Sequence, residues 1–224
     1  MDIIGLILGI SWFVIAALSI VFSVIFFKKS KTDELPRARY TSLGNAVFFL
    51  IGGFTKIFDL LFVNLGGELE PIPLFPVFSS EVLHYLALVE MTLYLAGFTV
   101  LIFLLEKYFV KTYYILTSVP IIAIFIAWIF NADLFVPNIL DLANIGQDQV
   151  LFLTFYLSRL VLPLLYLYIG IKSTGTIRKK SLALFFAYFV IATAYIRHPL
   201  FWLYITPFGM LICFYLIYYG FFKE

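Results

Sequence analysis

Four ionisable side chains stand inside otherwise apolar stretches of this sequence: Lys56, Asp59, Glu90 and Arg159. Placing such a group in hydrocarbon costs roughly 2.5–3.5 kcal/mol, so it turns toward a protein interior or an aqueous cavity and takes a partner there. Lys56 and Asp59 are three residues apart and share one helical face, which continues through Gly52 to Asn45. Glu90 has Tyr94 and Gly97 along its stripe, and Arg159 has Pro163, Tyr166 and Gly170. Two cations and two carboxylates can neutralise one another as a structural network, or line a pocket for a small or anionic ligand. Carboxylates at this depth also serve proton relays, and Glu90 beside Arg159 is the pair a proton-coupled carrier would use.

A second group, Glu81, His84, Arg197 and His198, falls at the ends of apolar stretches. Glu81-x-x-His84 is half of a carboxylate–histidine metal motif, with His198 as the only other imidazole in the chain. A catalytic zinc takes three protein ligands. Glu90 lies about 180° around the helix from Glu81 and does not complete such a set. No metal or other cofactor is therefore expected. Ser79 and Ser80 read as the cap of a following helix, and no glycine-flanked nucleophile elbow occurs, so no catalytic serine is expected either.

The elements that must position these residues are seven apolar stretches, at about 3–27, 43–65, 82–105, 113–130, 150–171, 181–196 and 200–222. Each is near the ~20 residues that a helix needs to cross hydrocarbon. The chain is 63% hydrophobic and only 12% charged, against about 25% charged in soluble domains, and its mean hydropathy is +1.06. A soluble fold would leave seven buried helices with almost no polar face to cover them. The expected fold class is thus all-α: one integral membrane domain over residues 1–224, a seven-transmembrane-helix bundle.

Charge orients it. Of 15 Lys and Arg residues, 12 fall in alternate connections and the tail: Lys28, Lys29, Lys31, Arg37, Arg39, Lys107, Lys111, Lys172, Arg178, Lys179, Lys180 and Lys223. The opposite side holds Arg197 as its only basic residue, together with Asp2, Glu68, Glu70, Glu81, Asp133, Asp141 and Asp148. The positive-inside rule makes the basic loops cytoplasmic, the N-terminus outside and the C-terminus inside. On that axis Lys56, Glu90 and Arg159 lie near the midplane, Asp59 farther out, and Glu81, His84, Arg197 and His198 at the outer mouth. The first stretch lacks a basic start and a small-residue cleavage site, and Lys28-Lys29-Ser30-Lys31 follows it directly, so it reads as an uncleaved span. Cys213, the single cysteine, lies in the last span, which excludes an intramolecular disulfide.

The connections are short. Residues 28–42 form the longest cytoplasmic one, mixed in charge and broken by Pro36. Residues 134–145 suit a short interfacial helix, and Arg197-His198-Pro199 a tight outer hairpin. Basic juxtamembrane loops meet anionic lipid headgroups, and nothing in the sequence points to nucleic acid.

Seven spans with this orientation and about 220 residues resemble the outline of microbial rhodopsins. Retinal in that family requires a lysine in the seventh span, and residues 200–222 contain none; Lys56 in span two is the only lysine within any span. The resemblance is of architecture, without the chromophore. The functional expectation is a receptor-like sensor in the cell membrane that binds a small ligand in an outer-half polar pocket and signals to a separate cytoplasmic partner protein. A small-solute or proton-coupled transporter is the alternative, and an intramembrane lipid enzyme built on Glu81 and His84 is the third.

Overall fold

Pro36 decides where the second helix starts. Its fixed φ and missing N–H suit the first turn of a helix, where the donor would be unpaired in any case. Accordingly α1 spans Ile3–Thr32 and α2 spans Pro36–Phe58, with only residues 33–35 between them. The expected connection over 28–42 is therefore almost entirely helical, and Pro36 opens a helix instead of breaking a loop. The corner is fastened by side chains: Lys29 pairs with Asp33 at 3.0 Å, and the Ser42 hydroxyl donates to the other Asp33 oxygen at 2.6 Å.

The computed structural model describes residues 3–58, 80–131, 147–193 and 200–223. The later helices are α3 (Ser80–Tyr108), α4 (Ile115–Asn131), α5 (Gln147–Lys172), α6 (Gly175–Thr193) and α7 (Leu200–Phe222). All regular structure among the described residues is helical. The sixth stretch, expected at 181–196, begins earlier, at Gly175, whose φ of +61° makes the left-handed turn after α5 at no steric cost. The expected interfacial helix at 134–145 and the hairpin at 197–199 lie outside the described residues.

Packing follows chain order around a ring. Helix α1 packs on α2, α2 on α3, α3 on α5, α5 on α6 and α6 on α7, and α7 returns to α1, while α4 lies over the seam between α3 and α5. The α1–α2 contact is the most extensive. Gly53 permits it: a Cβ there would come within 2.8 Å of Ile20 Cγ1 and 3.2 Å of the Ala16 carbonyl oxygen. Ser23 adds a hydroxyl bond to the Ala46 carbonyl at 2.8 Å.

The ring is filled by aromatic side chains. Phe22 meets Phe214 at 4.9 Å, Phe26 stacks on Phe49 at 5.7 Å, and Phe48 sets its edge against Phe98 at 5.1 Å. Pro120 and Pro163 sit fully buried inside α4 and α5. Outward, every helix presents large apolar side chains, among them Phe13, Phe54, Phe103, Phe125, Leu164, Phe186 and Phe208. By length and composition one helix among the described residues, Ile10–Thr32, is long and apolar enough to cross a membrane, and Ile115–Ile126 and Phe208–Phe222 are shorter apolar helices.

Candidate functional site: two buried cations and a small cavity

Lys56 and Arg159 are the two interior charges whose side chains the structure describes, and both are buried, at 5% and 4% exposure. Each lies against an aromatic face. The Lys56 ammonium is 5.1 Å from the centre of the Trp12 ring, which brings α1 against α2. The Arg159 guanidinium is 5.2 Å from the ring of Tyr94, which brings α5 against α3. The π face offers partial negative charge to a cation that has lost its water. Lys56, Tyr94 and Arg159 each make further interactions besides these.

Lys56 and Tyr94 share a cavity of about 30 Å³. Ser19, Phe48, Phe49, Gly52, Ile191, Met210, Cys213 and Phe214 also line it, so five helices contribute walls. That volume holds a water molecule or a small ion. Gly52 supplies part of the space, since a Cβ added there would meet nothing within 4 Å. Lys56 thus bounds the cavity directly, and Arg159 lies over the ring of Tyr94, which is part of its wall. Both cations have other partners besides the rings, and a space of this size beside them suits a water molecule or a small polar ligand.

Nearer the first residues of α2 the interior carries a neutral polar network. The Tyr188 hydroxyl donates to Asn45 Oδ1, and Asn45 Nδ2 donates to the Thr41 carbonyl at 2.9 Å. Tyr166 stacks on Tyr188 at 5.3 Å with planes 4° apart. Among the described residues, the buried Tyr166 hydroxyl and Trp12 Nε1 have no hydrogen-bond partner.

The remaining expected site residues divide by what is described. Glu81, His84 and Glu90 fall on α3, where only their backbone is described. Asp59, Arg197 and His198 lie outside the described residues. The stripes do bring Asn45, Tyr94, Pro163 and Tyr166 to the interior with the cations. Trp12 and Tyr188 were not singled out by sequence: an aromatic residue in an apolar span carries no mark of the partner it meets.

One buried polar group away from the two cations also escaped the sequence. Glu106, 4% exposed near the end of α3, accepts from the backbone N–H of Leu116 at 3.0 Å and of Thr117 at 2.8 Å. It accepts as well from the hydroxyls of Thr112 and Thr117. Burial alone raises its pKa, but the two hydroxyl and two amide donors together outweigh burial and hold the carboxyl below its ordinary value. Its apparent signal in sequence was a loop charge beside Lys107, indistinguishable from a solvated one.

Among the described residues, fold and site together define an all-helical arrangement whose interior holds two cations against aromatic faces. No protein-family model, curated protein or solved structure matches the chain.

Proposed function

We propose that the chain is a seven-helix, multi-pass cell-membrane protein of receptor-like type, N-terminus outside and C-terminus cytoplasmic. It binds a small or anionic ligand in an outer-half polar pocket with Lys56 and Arg159 as charge partners, and it signals through a separate cytoplasmic partner at its basic loops. Asp59 and Glu90 complete the charge network, and Glu81, His84, Arg197 and His198 form the outer mouth.

One observation carries the reading: two cations are held in the interior at 5% and 4% exposure, Lys56 on the wall of a cavity that Tyr94 also lines and Arg159 over the Tyr94 ring. Buried charges are costly and weak contributors to stability, so a binding role gives a reason for keeping them. The membrane part draws support from the outward apolar side chains on all seven helices, such as Phe13 at 62% and Phe125 at 66% exposure, far beyond what scattered surface hydrophobes explain. It draws support too from the one-sided distribution of basic residues.

Two experiments test it. After Cys213→Ala, Glu70→Cys should react with an impermeant maleimide on intact cells, and Arg178→Cys only after permeabilisation; the reverse pattern overturns the orientation. For the pocket, purified protein is melted with chloride, acetate, formate and phosphate. A stabilising anion whose effect vanishes in Lys56→Met and Arg159→Met supports the site. Equal stabilisation of parent and both variants, or none by any anion, overturns it.

A further inference from the structure

A second cavity, larger and apolar, opens on the outside of the bundle where α2, α3 and α4 meet. It measures about 450 Å³ and runs between Tyr40, Val47, Thr99, Phe103, Thr117 and Ile121. The lining runs from the second turn of α2 to its middle, along the last third of α3 and over the first two turns of α4. The groove thus opens toward the end of the bundle where α2 and α4 start and α3 ends. Thr99 turns its hydroxyl back onto the Leu95 carbonyl at 2.8 Å, and Thr117 gives its hydroxyl to Glu106, so both present little polarity to the groove.

The mouth of this groove is cationic and braced. Lys107 holds its ammonium 6.0 Å from the Tyr40 ring, 5.8 Å from Phe103 and 5.4 Å from Tyr108, and Tyr40 stacks on Tyr108 at 6.0 Å. Lys107 is one turn beyond Phe103 on α3, and exposed Arg37 is one turn before Tyr40 on α2, so both stand past the same end of the groove. The carboxylates described near this end have partners of their own: Asp33 holds Lys29 and Ser42, and Glu106 accepts from the amides and hydroxyls at the start of α4, Thr117 of the groove wall among them. Glu34 is the exposed acid of the α1–α2 corner.

An apolar slot on a lipid-facing surface with a fixed cation at its cytoplasmic mouth fits one kind of occupant. We propose that the α2–α3–α4 groove binds an anionic phospholipid of the inner leaflet, one acyl chain lying between Val47 and Ile121 and the phosphate at Lys107 and Arg37. The charge complementarity is that of basic pockets between membrane helices on the cytoplasmic side, where head groups are recognised. This rests on the seven-span orientation proposed above.

The test is native mass spectrometry of the full chain released from nanodiscs of phosphatidylcholine containing a minority of phosphatidylglycerol. The parent should retain one phosphatidylglycerol per chain. Lys107→Gln should lose preference for phosphatidylglycerol over phosphatidylcholine about fivefold, the effect of one basic residue at an anionic surface. Thr99→Trp, which fills the groove, should lose both lipids. If Thr99→Trp does not fold, Lys107→Gln decides alone, because its side chain is exposed and its removal leaves the helix packing intact. Unchanged phosphatidylglycerol retention in Lys107→Gln overturns the proposal, as does displacement of the lipid by a hydrophobic peptide without competition from phosphatidylglycerol. If instead the chain does not incorporate into nanodiscs, the membrane reading itself has failed.

Discussion

Glu106 holds together the turn between α3 and α4, and replacing it tests how the bundle end is built. Helix α4 starts at Ile115, and its first N–H groups need acceptors. The residue before it, Tyr114, has φ of +63° after Tyr113 at +53° and carries no capping side chain. Glu106 takes that role from the preceding helix, accepting from the amides of Leu116 and Thr117 and the hydroxyls of Thr112 and Thr117. A capping side chain contributes about 1 kcal/mol, and an anion at a partly buried helix N-terminus up to ~2 kcal/mol. Glu106→Gln keeps the shape but loses the charge and one acceptor oxygen, so it should cost about 2 kcal/mol; Glu106→Ala strands all four donors and should cost about 3 kcal/mol. Because the folded pKa lies below the unfolded value near ~4.3, the stabilisation is complete above that value and is lost as pH falls through the folded pKa. Reversible unfolding in mixed micelles across pH should show parent and Glu106→Gln separated at neutrality and converging in acid. Hydrogen exchange at the Leu116 and Thr117 amides should quicken in both variants. Equal stability of parent and Glu106→Ala at pH 7, with unchanged exchange at those amides, would refute the capping argument.

Other substitutions test the interior. Gly52→Ala should stabilise by up to ~1 kcal/mol, since the methyl enters the cavity and the helix gains propensity. Its neighbour Gly53→Ala should destabilise by about 1–3 kcal/mol through the clash with Ile20 and Ala16, and the same unfolding assay reads both. Tyr188→Phe leaves Asn45 Oδ1 without its donor and should cost about 1–2 kcal/mol; a neutral result would show that the oxygen is satisfied in another way. Trp12→Leu removes the face against which Lys56 rests and should cost about 2 kcal/mol, with Trp12→Phe restoring part of it in the same measurement.

The sequence marked Lys56 and Arg159 as interior residues because burial of a cation in an apolar stretch is too costly to be accidental. Lys56 and Arg159 are buried together with Asn45, Tyr94 and Tyr166 from the same stripes. Helix ends were less legible. Pro36 has two local uses, ending one element or opening another, and the choice depends on how tightly α1 and α2 can turn. The Glu106 clasp depends on two consecutive tyrosines in the left-handed region, a conformation that tyrosine does not advertise. The Tyr188–Asn45 bond joins residues 143 apart, and only the closed ring of helices brings them together.

The same ring bears on receptor against carrier. Along α2, Lys56 and Asn45 are about 16 Å apart on the helix axis. Between them lie Phe48 and Phe49, which pack on Phe22, Phe26, Phe98 and Phe214 from three other helices. A solute moving from the cavity toward the basic loops would have to part this layer, whereas a ligand that only fills the cavity would press on it. Phe48 contacts the Tyr188 ring at 5.7 Å, and Tyr188 bonds Asn45, so displacement of the Phe48 ring reaches the polar link between α2 and α6 without opening a path. A ligand shifts such a structure only by binding one packing of the layer better than another. On the proposed reading the discriminating contact is therefore the wall formed by Gly52, Phe48 and Phe49, and the cations at Lys56 and Arg159 hold the ligand against it.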